Sequence, residues 1–110
     1  MSPDDQQQFV REVLRLYLDL PDTPNRFSRH DRTIAQAWFD ENIPLPVIHQ
    51  AMVLAQVRRL ARPPDQYPLG PVRSLHYFVP VIREVQCDPF PPQYFEYLQR
   101  KLRQLTDGSK

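Results

Sequence analysis

Apolar residues recur along this chain at spacings of three and four, broken by prolines rather than glycines. From Gln6, the positions Phe9, Val13, Leu16, Tyr17 and Leu20 predict a first helix whose inner face centres on Val13 and Leu16. Arg11, Glu12, Arg15 and Asp19 fall on its outer face, with Arg15 and Asp19 spaced as a surface ion pair. Pro21 ends it, and an ordered turn must be built from Asp22, Thr23, Pro24 and Asn25. Ser28-Arg29-His30-Asp31 carries the pattern of a reciprocal helix cap, with an aspartate at the third helical position. The helix it opens presents Ile34, Ala35, Trp38 and Phe39 and runs to about Asp40–Asn42. Trp38, the single tryptophan, is expected to be a core anchor.

Pro44-Leu45-Pro46 reopens the chain, with Pro46 suited to the first helical position. Val47, Ile48, Ala51, Met52, Leu54, Ala55 and Val57 make the third helix apolar on several sides, which predicts a central helix with neighbours on more than one face. Residues 63–71 read as a proline-rich loop containing Tyr67 and Leu69. Ser74 then caps an element with Leu75, Phe78, Val79, Ile82 and Val85 on one stripe. Pro80 sits inside that stripe. Five apolar positions at helical spacing favour a continuous helix kinked at Pro80 over a short turn with a helix beginning there. A last helix follows Pro89, Pro91 and Pro92, with Phe95, Leu98, Leu102 and Leu105 inward. The expected fold is all-α: one domain over residues 1–110, a compact bundle of four or five short helices, frayed at 1–5 and 107–110.

Composition narrows the chemistry. Two glycines against thirteen prolines leave no glycine-rich phosphate loop and few hairpin turns. A single cysteine excludes an internal disulfide, and with three histidines it argues against a structural zinc site, so no metal or cofactor is expected. No apolar stretch is long enough to span a bilayer, and the acidic start Met1-Ser2-Pro3-Asp4-Asp5 does not read as a secretory signal, so the expected location is cytoplasmic.

Enzymatic patterns are not found. His30, His49 and His76 lie in separate elements, and no serine-histidine-aspartate order marks a nucleophile. Asp4-Asp5 and Asp40-Glu41 are adjacent pairs suited to solvent. Cys87 has Arg83 one turn behind it, but no base accompanies it, and it is expected to be chemically idle. His49, on the apolar central helix, is expected to be partly buried and hydrogen-bonded.

Charge is distributed unevenly although the net is only +1. Residues 1–45 carry five arginines or lysines against eight acids, and residues 46–110 carry nine against five. Arg58, Arg59 and Arg62 share the end of the third helix, where they also complement the helix dipole. Arg73 and His76 begin the element after the proline-rich loop, and Arg100, Lys101 and Arg103 lie on the last helix. If the loop folds back, these helix ends form a basic patch for phosphates, with Tyr77 or Tyr67 stacking on an unpaired base. The partner would be DNA, single- or double-stranded. The rival reading is a protein-interaction adaptor or homodimer using Tyr94, Phe95 and Tyr97, without nucleic acid.

Ile34-x-x-x-Trp38, Ile43, Val47-Ile48-x-x-Ala51 and Ser74-x-x-Tyr77-x-x-x-Val81-Ile82 resemble, over residues 28–86, the helical C-terminal domain of DnaD-type primosomal and phage replication proteins. The resemblance implies a non-enzymatic accessory role in DNA replication, with binding to DNA and partner proteins. It makes Trp38 a structural anchor, places Tyr77 near the DNA-contacting element, and makes Arg73, Arg83, Arg100 and Lys101 candidate phosphate contacts. Pro80 and the proline-rich loop depart from the family's pattern.

Overall fold

The computed structural model describes residues 3–21, 23, 26–62 and 72–107. The expectations for the 63–71 loop, for Tyr67, and for most of the 22–25 turn lie outside the described residues. Among those described, five α-helices and one 3-10 helix form an all-helical bundle with no sheet: α1 (Pro3–Asp19), α2 (Arg29–Asp40), α3 (Leu45–Leu60), a 3-10 helix (Leu75–Phe78), α4 (Val79–Cys87) and α5 (Pro92–Asp107).

Helix α3 is the hub. Residues 51–57 are buried without a break, two full turns shielded on every side, because α1, α4, α5 and the 3-10 helix all pack on it. This matches its all-round apolar sequence. Helix α2 reaches the core through α1 and the 3-10 helix. Trp38 is buried, as an anchor should be.

Two helices differ from their sequence patterns in detail. Helix α1 already includes Pro3, Asp4 and Asp5, where the two carboxylates face the positive end of the helix dipole. Its buried face is Val10, Val13, Leu14 and Tyr17, with Phe9, Leu16 and Leu20 half-buried at the margins. The axis is turned toward Leu14 because α2 and α3 together cover a wider arc than one stripe. Pro46 stands second in α3, after Leu45, where its missing N–H again has no helical partner to lose.

The junction from α2 to α3 replaces a glycine with Asn42. Its φ of 61° is the one left-handed value among the described non-glycine residues, and asparagine tolerates that region better than most side chains. Asn42 N–H donates to Phe39 O at 3.0 Å and Ile43 N–H to Trp38 O at 3.1 Å, so two end carbonyls of α2 are satisfied while Ile43 drops into the core.

Pro80 does not kink a continuous helix. Leu75–Phe78 wind as a 3-10 helix, and α4 begins at Val79 with Pro80 in its first turn. At this junction Val79 N–H donates to His76 O, and Pro80 has no N–H to satisfy. Starting the α-helix here spares Pro80 both a lost hydrogen bond and a clash with the preceding turn. The tighter 3-10 winding still brings Leu75 and Phe78 to the same side, so the apolar stripe survives the change of helix type.

Candidate nucleic-acid interface

The 3-10 helix is held at both ends. Val72 is buried just before it, and Ser74 Oγ accepts the N–H of His76 at 3.2 Å. Leu75 N–H donates to Asp31 Oδ1 at 2.9 Å in a buried setting. Asp31 is only 2% exposed. Its second oxygen, Oδ2, accepts Ser28 N–H at 2.8 Å and Ser28 Oγ–H at 3.1 Å, while Ser28 Oγ accepts Asp31 N–H at 3.1 Å. The cap legible in the sequence is therefore present, and its carboxylate is also the strut that fixes the 3-10 helix to the start of α2.

That strut sets the direction of the two residues between Leu75 and Phe78. With both of those buried, His76 and Tyr77 turn outward, and Tyr77 is 37% exposed. The Tyr77 ring stands edge-on to Phe78 at 5.3 Å. The Arg59 guanidinium lies 5.7 Å from the centre of the Tyr77 ring, within reach of a cation–π attraction. The last turn of α3 and the 3-10 helix thus meet at one surface. Arg73 is exposed next to it, and Arg62 is half-buried two residues past the end of α3.

Arg58 is committed to a partner on α4. Its guanidinium forms a two-pronged pair with Glu84 of α4, at 2.8 and 2.5 Å. The hydrogen bond to Glu84 raises the Arg58 pKa, and the same bond holds the Glu84 carboxyl below its ordinary range. Arg58 is thereby a tie between α3 and α4 whose charge is already met. Arg83 is occupied in the same way, with Nη2 donating to Glu41 at 2.9 Å and Nη1 to Gln86 at 3.1 Å.

Arg100 and Lys101 lie on α5, the first exposed and the second half-buried. Tyr94 at the start of α5 lies beside Leu54 and Arg58, and Phe95 meets the His49 ring at 5.2 Å. Helix α5 packs along α3 through these residues. The Arg59–Tyr77 contact brings the end of α3 beside the 3-10 helix that follows Arg73 and contains His76.

His49 is half-buried, and burial followed by the Arg15 charge lowers its pKa. Its contact is the edge of Phe95; it has no hydrogen-bond partner among the described residues. Tyr17 is completely buried edge-on to Phe78, and its hydroxyl has no partner among the described residues. Burial, with the Asp31 charge second, pushes its pKa up to about 12. Cys87 is exposed and unpaired.

Among the described residues, no group of three or more His, Cys, Asp or Glu side chains could hold a metal ion, and no helix is long and apolar enough to cross a membrane. Sequence reasoning missed the second role of Asp31 and the neutralisation of Arg58. The first left no local signal, because Asp31 and Leu75 lie 44 residues apart. The second left only a faint one, since Glu84 is an exposed acid on α4, 26 residues from Arg58. No protein-family model, curated protein or solved structure gives a significant match to this chain.

Proposed function

We propose that this protein is a non-enzymatic, cytoplasmic accessory module that contacts nucleic acid, in the replication-associated role that the DnaD-type resemblance implies. The observation that supports the reading most is the Arg59 guanidinium over the Tyr77 ring, because it joins the basic end of α3 to the turn bearing Arg73 and His76. Arg59, Arg62 and Arg73 position a phosphate backbone, and the exposed part of Tyr77 stacks on one unpaired base. Phosphate contacts carry no sequence information, so recognition is broad. An aromatic platform favours single strands over duplex. Arg58, already met by Glu84, contributes little.

The test is fluorescence anisotropy with a labelled single-stranded oligonucleotide across a salt series. Affinity falls steeply with salt, and Arg73→Ala lowers the slope of log affinity against log salt by about 0.7. Tyr77→Ala weakens single-strand binding by about 1–3 kcal/mol and leaves duplex binding nearly unchanged. Absence of binding at about 50 mM salt refutes the reading, since electrostatic contacts are strongest there.

A second reading is a protein adaptor or homodimer. It is favoured by Tyr94 and Tyr97, which are 42% and 48% exposed and stacked on each other at 5.9 Å. Sedimentation then gives a dimer or partner complex that Tyr97→Glu dissolves. A strictly monomeric chain with no recovered partner counts against it.

A further inference from the structure

Away from the Arg59–Tyr77 surface, α1 and α2 enclose a groove of about 630 Å³. Its apolar lining is Leu14, Leu18 and Phe27, with Leu14 sealing it from the core and Phe27 exposed at its edge. Among the described residues no carboxylate lines it, yet three arginines do: Arg11 and Arg15 from α1 and Arg32 from α2. Arg15 is neutralised by Glu12 at 2.8 Å and Asp19 at 3.5 Å. Arg11 and Arg32 have no carboxylate partner among the described residues; the Arg32 guanidinium lies over the Phe27 ring at 5.5 Å. Two unmatched cations, one on each bank, thus overlook an apolar floor.

We propose that this groove binds a short acidic amphipathic segment of a partner protein, a bulky apolar side chain flanked by carboxylates. The apolar side chain seats on Leu14, Leu18 and Phe27, and carboxylates on either side of it meet Arg11 and Arg32. Charge complementarity selects an acidic occupant. The apolar floor selects a peptide over a nucleic-acid backbone, whose phosphates and sugars have nothing to place there. Length agrees with this choice, since the lining runs from Gln6 to Leu18 along α1. Those twelve residues rise about 18 Å, which is about three helical turns of a bound segment.

Selection of a displayed library of random peptides, about twelve residues long, against the whole protein tests the proposal. The expected consensus combines Leu or Phe with Asp or Glu. Selected peptides, titrated into isotope-labelled protein, shift the amide resonances of Leu14, Leu18 and Phe27. Arg11→Glu with Arg32→Glu, both at exposed sites and so compatible with folding, weakens binding about tenfold or more. Arg73→Ala leaves it unchanged. The proposal is overturned if no peptide is enriched, if the consensus lacks acid or apolar residues, if the double charge reversal binds as well as the parent, or if the shifts fall elsewhere. It is equally overturned if an oligonucleotide displaces the peptide from these residues, which makes the groove a phosphate surface. None of these outcomes bears on Arg59 and Tyr77.

Discussion

Asp31→Ala removes a buried carboxylate that serves two elements at once, and its cost can be divided. Within α2 it loses the reciprocal cap with Ser28, about 1 kcal/mol, and a favourable charge at the helix start, about 0.5 kcal/mol. Between elements it strands the Leu75 N–H, a buried donor 2.9 Å from the lost oxygen, at about 1–3 kcal/mol. These parts share one side chain and do not add fully, so about 3 kcal/mol is expected. With a urea dependence of about 1.5 kcal/mol per molar, the unfolding midpoint drops by about 2 M at unchanged slope. Ser28→Ala is the matched control. It removes only the cap hydroxyl and leaves the Leu75 bond, so it costs about 1 kcal/mol. The assay is urea unfolding followed by far-ultraviolet circular dichroism. If the two variants agree within about 0.5 kcal/mol, the Asp31–Leu75 bond contributes nothing and the strut argument is refuted.

Pro80→Ala tests the late start of α4: stability should change by less than about 1 kcal/mol, whereas relief of an interior proline would stabilise by about 3 kcal/mol. Tyr17 supplies a pH test. Folded Tyr17 keeps its proton to about 12, while the unfolded chain releases it near the ordinary value of 10.0. The folded state therefore binds more protons in that window, and stability falls as pH rises through it. Tyr17→Phe should remove that alkaline loss in thermal melts run at successive pH values, without destabilising the protein at neutral pH, because the deleted hydroxyl is buried and has no partner among the described residues. Retention of the same alkaline loss in Tyr17→Phe would refute the assignment.

The readable parts of this fold are those in which a few consecutive residues settle the outcome. Ser28 and Asp31 are three positions apart, so their cap follows from local geometry. The apolar character of α3 around its whole circumference required neighbours on every side. On the stripe of Leu75, Phe78, Val79, Ile82 and Val85, all but the half-buried Val79 are buried, although the winding is not one continuous kinked helix. Burial depends on which side a residue faces, and 3-10 and α windings place residues three apart on nearly the same side. The local hydrogen bonding at Pro80 was what periodicity could not register.

The candidate surfaces were less legible, for a related reason. Arginines at positions 58, 59 and 62 look equivalent along the chain. One pairs with Glu84, 26 residues away, and the next lies over Tyr77. Arg11 and Arg32 belong to the acidic half of the sequence, and only the facing of α1 and α2 across a groove brings them to one site.

The sequence by itself determined the all-helical class, the Ser28 and Ser74 caps and most of the core, since these depend on periodicity and on hydrogen bonds within one turn. The tertiary structure alone decided which charges are matched and which aromatics face outward. Coulombic pairing acts across space between residues far apart in the chain, so only the packed arrangement of α3, α4 and the 3-10 helix commits Arg58 to Glu84 and leaves Tyr77, Arg73 and His76 together at the surface.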